Sequence, residues 1–360
     1  MAIRFTTGAA TLAYEILGEG EPPLVAVPGW VSHLQLDRDT PFVREFYDGL
    51  ARHRRVVHYD KRGTGLSERT TAPEAFTIDT RVEDLAAVMD AAGVQRAALM
   101  GWSEGGPISI AFAARYPERV SHLIVYSSGV CGLRAPDYPF GADPARAEAT
   151  LTIVGSEWGM GSRFLALQYL PEGDSGLTEW FTAYQRAGIT PQGAVAARRA
   201  WYNTDVRALL PSIRQPTLIL QRRDEPNGVA RAEYVAARLP NARLELLDGD
   251  LHIPYFGDSR SITDAVDRFL AEPVALPTVP TDGLTRRERE VAALVACGMT
   301  NRQIADALSI GERTIHTHVS NLLGKLELAT RAQIATWASD HGLRGAAANG
   351  EATPRIRLVR

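Results

Sequence analysis

The sequence predicts a mostly parallel α/β sheet flanked by helices, interrupted by a helical insertion and followed by a small all-α domain. Three observations predict it. Over the first 270 residues, apolar strand-like segments alternate with helical ones, the pattern of a sheet covered on both faces. Between about Cys131 and Ile213 that alternation fails, and aromatic-rich helices joined by Gly/Pro/Asp loops replace it. From Leu284 onward only short helices remain.

The strand candidates are "ATLAYEIL", "PLVAVPG", "RVVHYD", "RAALMGW", "VSHLIVYSS", "PTLILQRR" and "ARLELLDG". The first two are joined without a helix and predict an antiparallel edge. "EDLAAVMDAAG", "GPISIAFAARYP", "VARAEYVAARLP" and "SITDAVDRFLAE" carry the helical spacing, two of them stopped by a proline. The insertion holds Trp158, Phe164, Tyr169, Trp180, Phe181, Tyr184, Trp201 and Tyr202. Such a cap lies over the C-terminal edge of the sheet, where open α/β sheets bind ligands. Its aromatics have two readings, an apolar ligand pocket or the cap's own core.

These patterns divide the chain into a sheet domain over 1–270 (cap about 131–213), a proline-rich linker over 271–283, a helical domain over 284–345 and a disordered tail over 346–360. Charge is unevenly spread. Residues 283–345 hold eight Lys/Arg against six Asp/Glu, and the tail three against one, so a net −3 chain carries −7 on its remaining body. A basic C-terminal module on an acidic body fits a module that meets phosphates.

No run of about eighteen apolar residues exists to span a membrane. The start, "MAIRFTTGAATLAYEILGEG", lacks the basic and apolar regions of a signal peptide. The two cysteines, Cys131 and Cys297, fall in different domains and support neither a disulfide framework nor a metal cluster. The expectation is a cytoplasmic chain without cofactor or metal.

"GWSEGG" follows the strand "RAALM" and opens the helix "GPISIAFAARYP". A nucleophilic serine at such a turn is held in a strained conformation, and the residues two before and two after it must be small. Gly101 and Gly105 flank Ser103 in this way. A serine needs a base, itself oriented by an acid, here in the chain order Ser, acid, His. Among eight histidines, His252 in "LLDGDLHIPYFGD" follows the last strand, whereas His122 opens the strand directly after the elbow helix. The acid ends the preceding strand: "QRRDEPNG" offers Asp224, with Glu225 as the alternative. An oxyanion hole requires two backbone N–H groups, expected from Glu104 and from Trp30 in the loop after "PLVAVPGW". "YDKRGTGLS" reads as a structural glycine turn.

Through "VPGW", "DKRGTGLS", "GWSEGG", "QRRDE" and "GDLH", residues from about Leu12 to Leu270 resemble the α/β-hydrolase fold family. They resemble most the hydrolase-like modules that bacteria fuse to regulatory domains. The chain departs from the pattern in carrying Pro28-Gly29 where many relatives have His-Gly, and in an acid turn about one residue short.

In the C-terminal module, "TRREREVAALVACG" has Thr285 and Glu288 at capping-box spacing and ends at Gly298. "TNRQIADALSIG" opens with Thr300 as a cap and closes at Gly311, and "ERTIHTHVSNLLGKLEL" follows after a minimal turn. Two helices so joined form a helix-turn-helix, whose second helix enters the major groove. Residues 284–343 resemble the DNA-binding domain of LuxR/NarL-type regulators. That resemblance implies that Ile315, Val319 and Leu322 face the core and that His316, Thr317 and Ser320 face base edges. It places Thr300, Arg313, Thr314 and Lys325 near phosphates and makes "TRAQIATWASDHG" a dimerisation helix.

Three functions compete. One is a DNA-binding regulator whose sheet domain senses a small acyl, ester or lactone ligand. In the second that domain also hydrolyses the ligand, and in the third the protein is an esterase or lactonase with a secondary helix-turn-helix. The sequence favours a ligand-responsive, dimeric regulator, with double-stranded DNA and a small molecule as partners.

Overall fold

The computed structural model describes all residues except 1, 171–174, 227, 273–283, 285, 309, 327, 329 and 341–360. The linker except its first two residues, the tail and the Thr285 cap therefore lie outside the described residues. The chain divides into two compact units, the first ending at Pro273 and the second beginning at Val274.

The first unit is built on eight strands: β1 (Arg4–Phe5), β2 (Ala13–Leu17), β3 (Leu24–Val27), β4 (Val56–Tyr59), β5 (Ala97–Trp102), β6 (Val120–Tyr126), β7 (Thr217–Arg222) and β8 (Ala242–Leu247). They form one sheet in the order β1-β2-β4-β3-β5-β6-β7-β8. From β4 to β8 every pairing is parallel. The antiparallel edge exists, but its pairing differs from the expected one. β2 runs antiparallel to β4, from Tyr14↔Tyr59 to Leu17↔Val56, and not to β3. The reason is burial: all four residues of β3 are buried, which suits an interior strand and not an edge. The two-residue β1 beyond β2 carries no pattern long enough to read.

Alternation along the interior strands sends side chains to opposite faces. Leu24, Ala26, Ala98, Met100, Ile124 and Tyr126 join one apolar cluster, and Val25, Val27, Leu99, Leu123 and Val125 the other. α1 (Leu34–Asp39), α2 (Pro41–Leu50), α3 (Ile78–Ala91) and α4 (Gly105–Arg115) come from the first half of the sheet. The cap supplies α5 (Pro144–Ser156), α6 (Trp158–Tyr169), α7 (Ser175–Gly188) and α8 (Pro191–Tyr202), and α9 (Gly228–Ala236) and α10 (Ser259–Ala271) complete the unit. Val43, Phe46 and Leu50 of α2 and Ile262, Val266 and Phe269 of α10 cover the first face. Val82, Leu85 and Met89 of α3, Ile108 and Phe112 of α4 and Val235 of α9 cover the second.

The cap aromatics divide between the two readings. Trp180 stacks on Tyr184 at 4.8 Å and meets Phe42 and Phe256 edge-on, so it builds the core. Tyr169, Trp201 and Tyr202 line a cavity.

The second unit contains α11 (Arg286–Ala296), α12 (Asn301–Leu308), α13 (Glu312–Lys325) and α14 (Arg331–Asp340) around Val291, Ile304, Ile315, Leu322 and Ile334. α11 is followed by Gly298 at φ 78°, the left-handed stop its sequence predicts. Gly311, expected to close α12, instead sits at φ −68° as the N-cap of α13. Thr300 and Gln303 exchange hydrogen bonds at the start of α12, a capping box. No helix among the described residues is long and apolar enough to cross a membrane.

Candidate functional site

Ser103 occupies the turn between β5 and α4 at φ 50°, a left-handed conformation that a non-glycine residue adopts only when its surroundings enforce it. The flanking glycines make room for it. A Cβ on Gly101 would lie 2.3 Å from Gly105 O, and one on Gly105 would lie 2.1 Å from Val27 O. Ser128 Oγ donates to the Ser103 carbonyl at 2.5 Å and braces the turn from the strand β6 side. The N-terminus of α4 follows at once, so its partial positive charge faces any anion formed at Ser103.

His252 lies in the loop after β8. Its Nδ1 is 2.7 Å from Glu225 Oε1. Its Nε2 is buried and has no hydrogen-bond partner among the described residues. The ring stacks on Tyr169, centroids 5.0 Å apart. Ser103 and His252 line the same cavities.

Of the two acids the sequence offers, the structure brings the alternative, Glu225, and not Asp224, to His252. Asp224 is exposed beyond the end of β7, whereas Glu225 turns inward and is buried. Arg231 Nη2 donates to Glu225 Oε1 at 3.0 Å, Gln221 Nε2 to Oε2 at 2.6 Å, and the Ser127 hydroxyl to Oε2. Burial alone would raise this carboxyl. The His252 imidazole, the Arg231 guanidinium and the Ser127 hydroxyl together hold it well below the usual carboxylate range. Ser127, itself at φ 43°, also places its Oγ 2.8 Å from His252 Nδ1. Sequence reading missed Ser127, whose only local mark is its place just beyond β6.

The backbone N–H groups of Trp30 and Glu104 are not taken by any hydrogen bond among the described residues. The loop carrying Trp30 lies against the nucleophile: a Cβ on Gly29 would approach Ser103 Cβ to 3.2 Å. The Trp30 side chain is fixed from the cap, its Nε1 donating to Gln185 Oε1 at 2.8 Å and Arg198 lying 4.5 Å over its ring.

"DKRGTGLS" is structural as expected, and it does more. Asp60 accepts from the Leu34 and Leu66 N–H groups, and the turn leaves Gly65 no room for a side chain. Lys61, which the sequence did not single out, is buried and donates to the carbonyls of Gly29 and Trp30. It also sits 3.8 Å from Glu104. Burial pulls its ammonium down to about 7, against the attraction of Glu104. Lys61 thus ties the loop that carries Trp30 to the residue that follows the nucleophile.

In the second unit, the outward face of α13 presents Arg313, Thr314, His316, Thr317 and Ser320, all exposed, with Thr300 exposed at the start of α12. Ile315 and Leu322 are fully buried, and Val319 packs half-buried against the same core. Lys325, expected at a phosphate, is partly exposed, and its Nζ lies 2.8 Å from the buried carboxylate of Glu288 on α11. That ion pair makes Lys325 a strut between two helices. His318 is half-buried, as its bland reading expects.

A strained serine at a β5–α4 elbow, backed by a carboxylate-held imidazole on a mostly parallel sheet, defines an α/β-hydrolase. The chain belongs to the α/β-hydrolase fold family, whose model matches residues 22–259. Residues 282–338 match the model of bacterial regulatory proteins of the luxR family, so the chain joins a hydrolase-fold domain to a LuxR-type DNA-binding domain. A pimeloyl-[acyl-carrier protein] methyl ester esterase of Xanthomonas campestris pv. campestris is 30% identical over 282 residues, covering 73% of this chain and 99% of the relative. The transcriptional regulatory protein YhcZ of Bacillus subtilis is 53% identical over 62 residues, 17% of this chain and 29% of that one. An esterase of Exiguobacterium antarcticum shares the fold at a TM-score of 0.66 and 20% identity, over 74% of this chain and 99% of its own.

Proposed function

We propose that the protein is a cytoplasmic, dimeric, DNA-binding transcription regulator whose hydrolase-fold domain binds and hydrolyses a small acyl ester or lactone. One observation carries the catalytic half: His252 is held through Nδ1 by a buried carboxylate while its Nε2 is left without a partner beside the strained Ser103. In that arrangement Ser103 Oγ attacks the ligand carbonyl while His252 Nε2 takes its proton. Glu225 stabilises the imidazolium, and the N–H groups of Trp30 and Glu104 receive the developing oxyanion. Collapse of the adduct breaks the C–O bond, the imidazolium protonates the leaving alkoxide, and water later releases the acyl group from Ser103 by the same route. The resemblance to an esterase supports this chemistry.

The exposed polar face of α13 supports the regulatory half. Arg313 and Thr314 approach phosphates while His316, Thr317 and Ser320 read base edges. Resemblance of the last helix to the family's dimerisation helix supports a dimer that reads two half-sites.

The test combines both halves on the full chain. A fluorophosphonate labels Ser103, located by peptide mapping, and not the Ser103→Ala variant. The same preparation enriches one sequence from a random duplex pool. Failure to label a folded protein that still selects DNA removes hydrolysis and leaves a ligand-holding sensor. Labelling without DNA selection supports an esterase with a secondary helix-turn-helix.

A further inference from the structure

A cavity of about 360 Å³ opens on Ser103 and His252, within the size range of small-molecule sites. Its charge is lopsided. Four guanidinium groups line it, Arg134, Arg146, Arg198 and Arg231, against two carboxylates, Glu104 and Asp143. Both carboxylates are already engaged. Asp143 accepts from the Ala145 and Arg146 N–H groups at the start of α5. Glu104 lies between Lys61 and Arg198.

The arginines differ: Arg231 is paired with Glu225 and Arg198 with Glu104, whereas the two at the rim keep their donors. Arg198 on α8 is 4% exposed, and its Nη2 donates to the Tyr169 hydroxyl at 2.9 Å. Its Nε is buried with no hydrogen-bond partner among the described residues, and so is Nε of Arg231. Arg134 and Arg146 stand exposed at the rim, and neither side chain makes a hydrogen bond or ion pair among the described residues. Guanidinium groups match carboxylates with paired, charge-assisted hydrogen bonds, and the exposed pair at the rim is free to make them. A second, smaller cavity at Ser103 is apolar, walled by Val31, Trp102, Phe181 and Ile253. The two sides of the serine thus differ in chemistry.

We propose that the ligand is an ester or lactone that carries a carboxylate at its far end. Its carbonyl meets Ser103, and its carboxylate pairs with Arg134 and Arg146 at the rim, in the positive field that Arg198 and Arg231 add to. The proposal rests on Ser103 as the acyl-accepting residue. It adds that the hydrolase domain discriminates by ligand charge, so that neutral esters of equal length are poor ligands.

The test uses the full-length Ser103→Ala protein, which binds without turnover, and isothermal titration with monomethyl glutarate and with dimethyl glutarate. Loss of a charge-assisted contact predicts that the half-ester binds at least about tenfold more tightly than the neutral diester. Replacing both exposed rim residues, Arg134→Ala with Arg146→Ala, leaves the fold intact and reduces half-ester affinity by about fivefold or more. Equal affinity for the two esters, an unchanged affinity in the rim variant, or no binding of the half-ester at millimolar concentration overturns the proposal. Fluorophosphonate labelling of the wild-type chain reports separately on the nucleophile. A labelled protein without charge preference loses only the anion site, and a charge preference without labelling loses only the nucleophile.

Discussion

Glu225 Oε1 stands 2.7 Å from His252 Nδ1, while Asp224, its neighbour in sequence, faces solvent. The proposed function gives these adjacent acids unrelated roles, and mutation separates them. Glu225→Gln keeps the shape and removes the charge that stabilises the imidazolium, so the rate of fluorophosphonate labelling at Ser103 falls on the order of 10²–10⁴-fold. Asp224→Asn leaves it within about twofold. The reverse ranking would return the acid role to Asp224.

Ser103 and His252 were legible because local pattern announces them: small residues two positions either side of the serine, and a loop histidine after the last strand. The choice of acid was not. Beyond Arg222 the chain leaves the strand, and which of two consecutive acids points inward depends on the turn. Lys61, Ser127 and Arg198 escaped notice for a different reason, since each acts on residues 25 or more positions away. The sheet was legible in its parallel interior and less so at its edge, where the exposed two-residue β1 carries no pattern.

Lys325 shows the same limit in the DNA-binding unit. Its position matches a phosphate contact, and its Nζ also pairs with Glu288, 37 residues earlier and buried. Lys325→Ala is expected to destabilise the C-terminal unit by roughly 1–2 kcal/mol, discounted for the partial exposure of the lysine. Urea unfolding followed by the exposure of Trp337 measures it. Arg313→Ala should instead leave stability unchanged, weaken binding to all DNA sequences, and lower the salt slope by about 1. A fall in slope for Lys325→Ala at unchanged stability would restore the phosphate assignment.

His58 carries a pH dependence. It is fully buried, 3.4 Å from Glu15 and 3.2 Å from Asp37, and stacks on Tyr47. Burial opposes its charge, but the two carboxylates prevail and push it up to about 9. A histidine bound more tightly to its proton in the folded state stabilises most below its unfolded value near 6.5. That contribution disappears as pH rises through about 9. The stability difference between wild type and His58→Gln should therefore shrink between pH 6 and 9.5 by on the order of 3 kcal/mol. A difference that is flat or grows with pH contradicts the charged, carboxylate-held imidazole.

A ligand-responsive regulator requires that occupancy at Ser103 and affinity at α13 be one linked equilibrium. Linkage requires that a group at Ser103 favour one of two states that differ in DNA affinity. The direct measurement is fluorescence anisotropy of the selected duplex with free protein and with protein phosphonylated at Ser103, at a single salt concentration. Kd should change by about fivefold or more, in either direction. Identical affinities would mean that the hydrolase domain and the DNA-binding domain share a chain without sharing a function.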